Sequence, residues 1–341
     1  TLPVPTGRPA YDAFVTRMKA QPDTQLTAPN CDLTTDDDSP PNYIFASTFP
    51  GTLTCGGSDN SYIEAYEAYS YDTAYALASA LHYLIETQGV TSIKGSELKD
   101  ALLSQVDFQG ASGRVKFAPN GDRKVGVSFD VLNYQNSTAG LATIGTWEPC
   151  GSGSTSGCSF SSRYTSKAGA SVVYSTGTST APVQKGSSLV PGSLPSPTPI
   201  NGTAEVYIGA IFQMLKTSKD NYAISDKGTN RFAAFNMAIQ EINNKNDGIN
   251  DTLLPNTQIK FAYRDSHADS YFGFFDTADL VSNAFGGKGV SAVIGAAFSG
   301  VSAEVATVLE RAEIPQISYS ATSPALSNDT LYPYFMRTPP S

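Results

Sequence analysis

The sequence predicts an α/β fold: doubly wound, mostly parallel sheets in two parts joined by a linker. Three observations predict it. Four strands alternate with three helices between Glu205 and Tyr319, an acid-free, Ser/Gly/Thr/Pro-rich stretch divides the chain, and 341 residues exceed one ordinary domain of roughly 100–200.

In the second part, the apolar strand Glu205–Gln213 leads to a helix over about Asn230–Asn244, with Phe232, Phe235, Ala238, Ile239 and Ile242 on one face. The strand Gln258–Tyr263 and a helix over Tyr271–Phe285 follow. Gly286-Gly287-Lys288-Gly289 then leads into the strand Val290–Ile294, a helix over Val301–Ala312 and the strand Gln316–Tyr319. Such alternation calls for parallel strands with right-handed crossovers.

The first part has a different order. A helix over Ala10–Ala20 precedes a polar loop between Cys31 and Cys55, and Tyr66–Leu84 carries a helical stripe of Tyr69, Ala76, Leu77, Ala80 and Leu84. Ser96 is placed to cap a second helix ending near Ser104. Beyond Gly110 and Gly113, strands Arg114–Phe117 and Val125–Tyr134 flank Pro119-Asn120-Gly121-Asp122. Asn and Gly both tolerate positive φ, which makes this a hairpin signal. Residues 151–200 contain no Asp or Glu and read as a linker, with a short strand at Val172–Tyr174.

Charged residues make up 16% of the chain, against about 25% in typical soluble proteins, and the net charge is -9. With no basic stripe, nucleic acid is excluded as a partner class. No apolar run reaches the ~18–20 residues of a membrane-spanning helix, and the first residues lack the pattern of a signal peptide. Targeting or anchoring segments are therefore expected outside this sequence.

Cys31 with Cys55 and Cys150 with Cys158 form two sequence-local pairs without histidines at metal-ligand spacing, so two disulfides are expected instead of zinc. Sequons at Asn136, Asn201, Asn250 and Asn328 fit the same oxidising, extracellular route and predict N-linked glycans. The acidic run Asp36-Asp37-Asp38 lacks the alternating spacing of calcium loops and reads as solvated. His82 and His267 have no metal-ligating neighbours and read as structural. No nucleophile elbow, phosphate loop or zinc-protease helix is present, so the expectation is a binding protein without cofactor, not an enzyme.

Residues 314–341, IPQISYSATSPALSNDTLYPYFMRTPPS, closely resemble the first lobe of the ANF-receptor ligand-binding family, whose type I periplasmic-binding-protein-like fold occurs in class C receptors such as metabotropic glutamate receptors. The resemblance extends back through VSAVIGAAFSGVSAEVATVLERAEIPQ and RFAAFNMAIQEINN to the strand at Val206. YSYDTAYALASALHYLIETQG and LLSQVDFQGASGRVKFAPNGDRKVGVSFDVLNYQ are similar to the end of such a module, and GTWEPC to its exit. The end of a module thus precedes a beginning. The resemblance implies residues 1–150 as the C-terminal part of one module, 151–202 as linker and 203–341 as the N-terminal lobe portion of the next. The helices completing this lobe are then expected from later sequence, a neighbouring subunit, or residues 66–104 folding back across the linker.

Phe298-Ser299-Gly300 and Ser320-Ala321-Thr322 follow strand ends, where open α/β sheets bind ligands and helix N-termini favour anions. By resemblance, Ser299, Ser320 and Thr322 hold the α-carboxylate and amino groups of an amino acid, and Arg231 reaches a side-chain acid. The chain departs from the family near Tyr66, on which a lysine position falls. The function this implies is extracellular binding of an amino-acid-like small molecule in an interlobe cleft. The alternative is a structural module of a glycoprotein array or filament, in which other copies or segments complete the modules.

Overall fold

The structure, a computed structural model, describes residues 9–20, 45–46, 63, 65–124, 129–136, 140–149, 162–166, 200–201, 205–218 and 221–341. They fall into two compact units, one within Thr1–Lys124 and Pro195–Ser341, the other within Val125–Leu194.

In chain order, the first segment of the larger unit contains α1 (Pro9–Ala20), β1 (Phe45–Ala46), α2 (Ala65–His82), a π-helical turn over Tyr83–Thr87, β2 (Ser92–Ile93), α3 (Gly95–Gln105), β3 (Asp107–Gly110) and β4 (Gly113–Lys116). The smaller unit holds β5 (Phe129–Asn136), β6 (Gly140–Pro149) and β7 (Ser162–Ser166). The larger unit resumes with β8 (Ile200–Asn201), β9 (Glu205–Phe212), β10 (Leu215–Ser218), β11 (Asn221–Ile224), α4 (Asp226–Asn243), β12 (Gln258–Asp265) and α5 (Ser270–Gly287). It ends with β13 (Val293–Ile294), α6 (Ser299–Ala312), β14 (Gln316–Ser318), a 3-10 turn over Pro324–Ser327 and β15 (Phe335–Arg337).

The central sheet runs β1-β12-β9-β13-β14-β15, parallel throughout except for β1, which pairs antiparallel with β12 at the edge. Its inner strands β9, β13 and β14 are largely buried on both faces, and side-chain alternation divides them. Val206, Ile208, Ala210 and Phe212 of β9, with Ile259 and Phe261 of β12, Ile294 and Ile317, enter one cluster with α2 and α4. Ile211, Ala262 and Val293 turn the other way, toward Leu280 of α5 and Val301, Val305 and Leu309 of α6.

α2 is the element that makes the first segment part of this sheet. Buried residues run along it from Glu67 to Ala78 and include Ala80 and Leu81, leaving no broad solvent face, as expected for a helix packed on two sides. Its small residues, Ser70, Ala74 and Ala78 among them, let it lie close against α4. Leu77 and Leu81 join the same cluster as Phe232, Phe235 and Ile239. Of the three sources expected for the completing helices, the chain uses its own first segment, folded back across the linker.

Several local expectations differ from the structure. The second helix starts at Gly95, not behind a Ser96 cap; Glu97 accepts the backbone N–H of Lys94 at 3.1 Å. Gly95 is required there, since a Cβ would lie 1.6 Å from the Glu313 carbonyl oxygen. The expected strand at Arg114–Phe117 pairs with β3 instead, through the two-residue connection Ala111–Ser112, whose N–H groups are both taken by Asp72 at 2.8 Å. Around the Asn-Gly turn, among the described residues, the Phe117–Arg123 bridge and its neighbouring backbone bonds form.

The strand expected over Val290–Ile294 shortens to two residues. Ser291 and Ala292 still bond β9, through Ser291 N–H to the Tyr207 carbonyl and Gly209 N–H to the Ala292 carbonyl, each at 2.9 Å. In the smaller unit β5, β6 and β7 form an antiparallel meander. β7 lies within the stretch read as linker, where Ser-Arg-Tyr-Thr-Ser offers β-forming residues to the open edge of β6. The strand expected at Val172–Tyr174, the four cysteines and Asp36–Asp38 lie outside the described residues.

Candidate ligand-binding site

Strand order reverses at β9: the crossover through α4 leads to β12 on one side, while β13 and β14 lie on the other. The carboxyl ends of β9, β13 and β14 therefore lie where chain connections diverge, the usual ligand position in open α/β sheets. Ser299, Ser320, Thr322 and the start of α4 gather around this edge.

Ser299 opens α6. Its Oγ accepts the Ser323 N–H at 3.1 Å, joining the loop after β13 to the loop after β14. Beneath them Ser318 Oγ donates to the Ala296 carbonyl at 2.7 Å and accepts the N–H groups of Ser320 at 3.2 Å and Ala321 at 2.9 Å. Ser302 Oγ donates to the same Ala296 carbonyl at 3.0 Å, and Gln316 Nε2 to the Gly295 carbonyl at 2.9 Å. The hydroxyl layer is thus internally bonded and buried, with Ser320 half-buried and Thr322 exposed above it. Gly295 has φ +122°, and a Cβ would lie 2.2 Å from the Ile211 carbonyl oxygen, so this loop can approach β9 only as glycine.

Arg231, in the second turn of α4, is buried, and its guanidinium lies over the Tyr66 ring at 4.7 Å. Ser70 Oγ donates to the Arg231 carbonyl at 2.8 Å. α2 therefore supports this arginine twice, and the position where the family lysine is missing supplies an aromatic face for its charge. Arg231 also acts electrostatically on Tyr319, the residue before Ser320; burial pushes the Tyr319 phenol far up, and the nearby cation opposes that. Tyr319 stacks on Phe212 at 4.5 Å. Ser299 and the 320–323 loop are joined directly, whereas Arg231 approaches them through Tyr319.

Sequence reading missed Arg337. This completely buried arginine donates to the carbonyls of Ala321 at 3.4 Å and Ser323 at 2.7 Å and pairs with Asp122 at 2.6 Å. Burial pushes its pKa down and Asp122 opposes the shift. A lone arginine in a mostly apolar strand was the available signal.

The remaining expected residues are scattered. Asn250 and Asn328 are exposed; Asn250 hydrogen-bonds the Tyr75 hydroxyl, and Asn328 Oδ1 accepts the Thr330 N–H at 3.1 Å. Asn136 and Asn201 lie in β5 and β8, with side chains outside the described residues. His82 Nδ1 accepts the Leu254 N–H at 3.1 Å, and His267 packs on Phe272 at 4.8 Å. No group of three His, Cys, Asp or Glu among the described residues is arranged to hold a metal ion.

A family model described as the receptor family ligand binding region matches residues 51–137 and 230–341, more than half of the chain. The chain belongs to this family. It is similar to human metabotropic glutamate receptor 8, at 34% identity over 128 residues, covering 34% of this chain and 14% of the relative. Mouse metabotropic glutamate receptor 4 is 31% identical over 177 residues, 45% of this chain and 19% of the relative. The rat form is 31% identical over 154 residues, 40% of this chain and 17% of the relative. The matched part spans less than a fifth of each relative's length. No helix among the described residues is long and apolar enough to cross a membrane.

Proposed function

We propose that this chain is an extracellular module that binds an amino-acid-like ligand without chemical transformation, using the crevice edge at Ser299, Ser320, Thr322 and Arg231. One observation carries the reading: two hydroxyl-bearing loops, tied together by Ser299 and Ser323, lie at the carboxyl ends of neighbouring parallel strands beside a buried arginine. The N–H groups at the start of α6 and the hydroxyls suit a carboxylate, while Arg231, stacked on Tyr66, suits an acidic or polar ligand side chain. Similarity to metabotropic glutamate receptors supports the ligand class. The route outside the cell also accounts for the paired cysteines and the exposed sequons at Asn250 and Asn328.

The test is calorimetric titration of the full chain with L-glutamate, L-glutamine and L-serine. At least one is expected to bind, and Ser320→Ala combined with Thr322→Ala should abolish that binding while leaving the melting temperature unchanged. Absence of binding by all three would favour the assembly role instead.

A further inference from the structure

The loop carrying Thr322 is held from across the linker. Arg337 Nη1 donates to the two carbonyls that flank Thr322, at 3.4 Å to Ala321 and 2.7 Å to Ser323, while Nη2 donates to Ser327 Oγ at 2.5 Å. This one guanidinium therefore spans the loop from Ala321 to Ser327. Its charge is met by Asp122, with Nε to Oδ1 at 2.7 Å and Nη2 to Oδ1 at 2.6 Å.

Asp122 belongs to the Asn-Gly turn of the first segment, more than two hundred residues away in sequence. Asn120 Nδ2 donates to Asp122 Oδ2 at 3.0 Å and to the Ser327 carbonyl at 3.3 Å, while the Arg337 N–H donates to the Gly121 carbonyl at 3.1 Å. Gly121 has φ +79°, and a Cβ there would lie 2.1 Å from the Phe335 carbonyl oxygen, so the turn and β15 meet without spare room. The same turn continues into Arg123, whose Nη1 donates to the Thr338 carbonyl at 2.9 Å.

We propose that Arg337 is a positioning residue of the ligand site and Asp122 its counter-charge, so that affinity at Ser320 and Thr322 depends on docking of the 119–122 turn. The proposal rests on the amino-acid-binding reading above. Without Asp122, the buried cation must draw on water or other acceptors, and its grip on the carbonyls beside Thr322 relaxes. By linkage, a ligand that favours the ordered loop favours the docked turn by the same factor.

The experiment titrates wild-type chain, Asp122→Asn and Asn120→Ala with whichever of L-glutamate, L-glutamine and L-serine saturates the wild type. Asp122→Asn should weaken binding about tenfold with unchanged stoichiometry. Asn120→Ala, which leaves the ion pair in place, should weaken it by about threefold. Reduced stoichiometry with unchanged dissociation constant would mean that the pair only holds the fold, and would overturn the proposal. If no amino acid binds wild type, the amino-acid reading fails, and hydrogen exchange judges the positioning alone. Amides of residues 321–328 should then exchange about tenfold faster in Asp122→Asn, with β9 unchanged; equal rates in that loop would also overturn it. Should Asp122→Asn fail to fold, Asn120→Ala carries the same two readouts.

Discussion

The two faces of the central sheet bury similar apolar strands but are covered by different means. The face under α5 and α6 comes from one continuous stretch and is closed mainly by aliphatic and small side chains such as Leu280, Val301, Val305 and Leu309, its Arg264–Asp279 ion pair at 2.6 Å joining elements that follow one another in sequence. The face under α2 and α4 joins segments from both sides of the linker and interleaves its apolar cluster with ionisable groups. Glu241 accepts hydrogen bonds from Arg17 at 2.8 Å, Tyr75 at 3.1 Å and Tyr71, linking α1, α2 and α4. Asp72, completely buried, holds the Ala111–Ser112 turn beside Arg123, and burial pushes its carboxyl up to about 6 despite that cation.

The difference teaches how a distant helix is placed. Apolar burial drives both faces together without a preferred direction, whereas hydrogen-bonded charges add a directional constraint on alignment. Neighbours in sequence need less such guidance because their short connections restrict where they can pack.

The largest break in the contacts between the first and second segments is expected from Gly95→Ala, whose Cβ has no room beside the Glu313 carbonyl. We expect a loss of about 4 kcal/mol or more in urea denaturation. A loss below about 1 kcal/mol would mean that α3 does not approach α6 so closely. Next come matched truncations on the two faces, Leu77→Ala and Val305→Ala, at fully buried positions. They should cost about 3 and about 2 kcal/mol respectively. Because Leu77 belongs to the first segment, its loss must destabilise the second segment too. Hydrogen exchange that rises in α2 but not in α4 would contradict a shared core.

A smaller effect, about 2 kcal/mol, is expected from Glu241→Gln, which removes the charge but leaves an amide for Tyr71 and Tyr75. Arg17 is partly exposed, so solvent screens its share of the loss. A double-mutant cycle with Tyr71→Phe should show a coupling of about 1 kcal/mol, and additive losses would separate the tyrosine from the network.

The smallest effect sharpens the contrast on the other face. Asp276 of α5 is pushed up to about 7 by burial, with Arg264 opposing the shift and Asp265 and Asp279 adding to it. The folded state thus retains a proton that the unfolded chain releases near the ordinary aspartate range, so this group's stabilising contribution is present at about pH 4 and lost as pH rises through about 7. The full shift would correspond to about 4 kcal/mol, but Asp276 is only half-buried and solvent screens most of it. Asp276→Asn should therefore match wild type at about pH 4 and exceed it by about 1 kcal/mol at about pH 8, seen as a melting point ~3 °C higher. Equal melting points at the higher pH would place Asp276 in contact with solvent.

Reading the sequence located the second segment's elements because their periodicity is local: the stripe from Phe232 to Ile242 sits in α4, and the strands expected to start at Glu205, Gln258 and Gln316 coincide with β9, β12 and β14. Failures were local where tertiary contacts decided the matter. Ser96 lost the cap position to an arrangement fitted around Gly95 and Glu313, and Arg114–Phe117 paired with β3 because Asp72 secures the intervening turn. At the candidate site, Ser299, Ser320 and Thr322 were legible as small hydroxyls after strand ends, whereas Arg231 was singled out only through the family resemblance. Arg337 and Asp122 were not, since nothing in either stretch points to the other.

By itself, the sequence determined the α/β class, the alternation that makes the sheet parallel, the positions of the candidate hydroxyls at strand ends and the resemblance to receptor ligand-binding regions. All of these depend on residue type and spacing over a few dozen positions. Tertiary structure alone decided which helices cover the α4 face, that Tyr66 lies beneath the Arg231 cation, and that Arg337 grips both sides of Thr322 while paired with Asp122. Those outcomes follow from shape and charge meeting across a linker whose composition carries no record of what it joins.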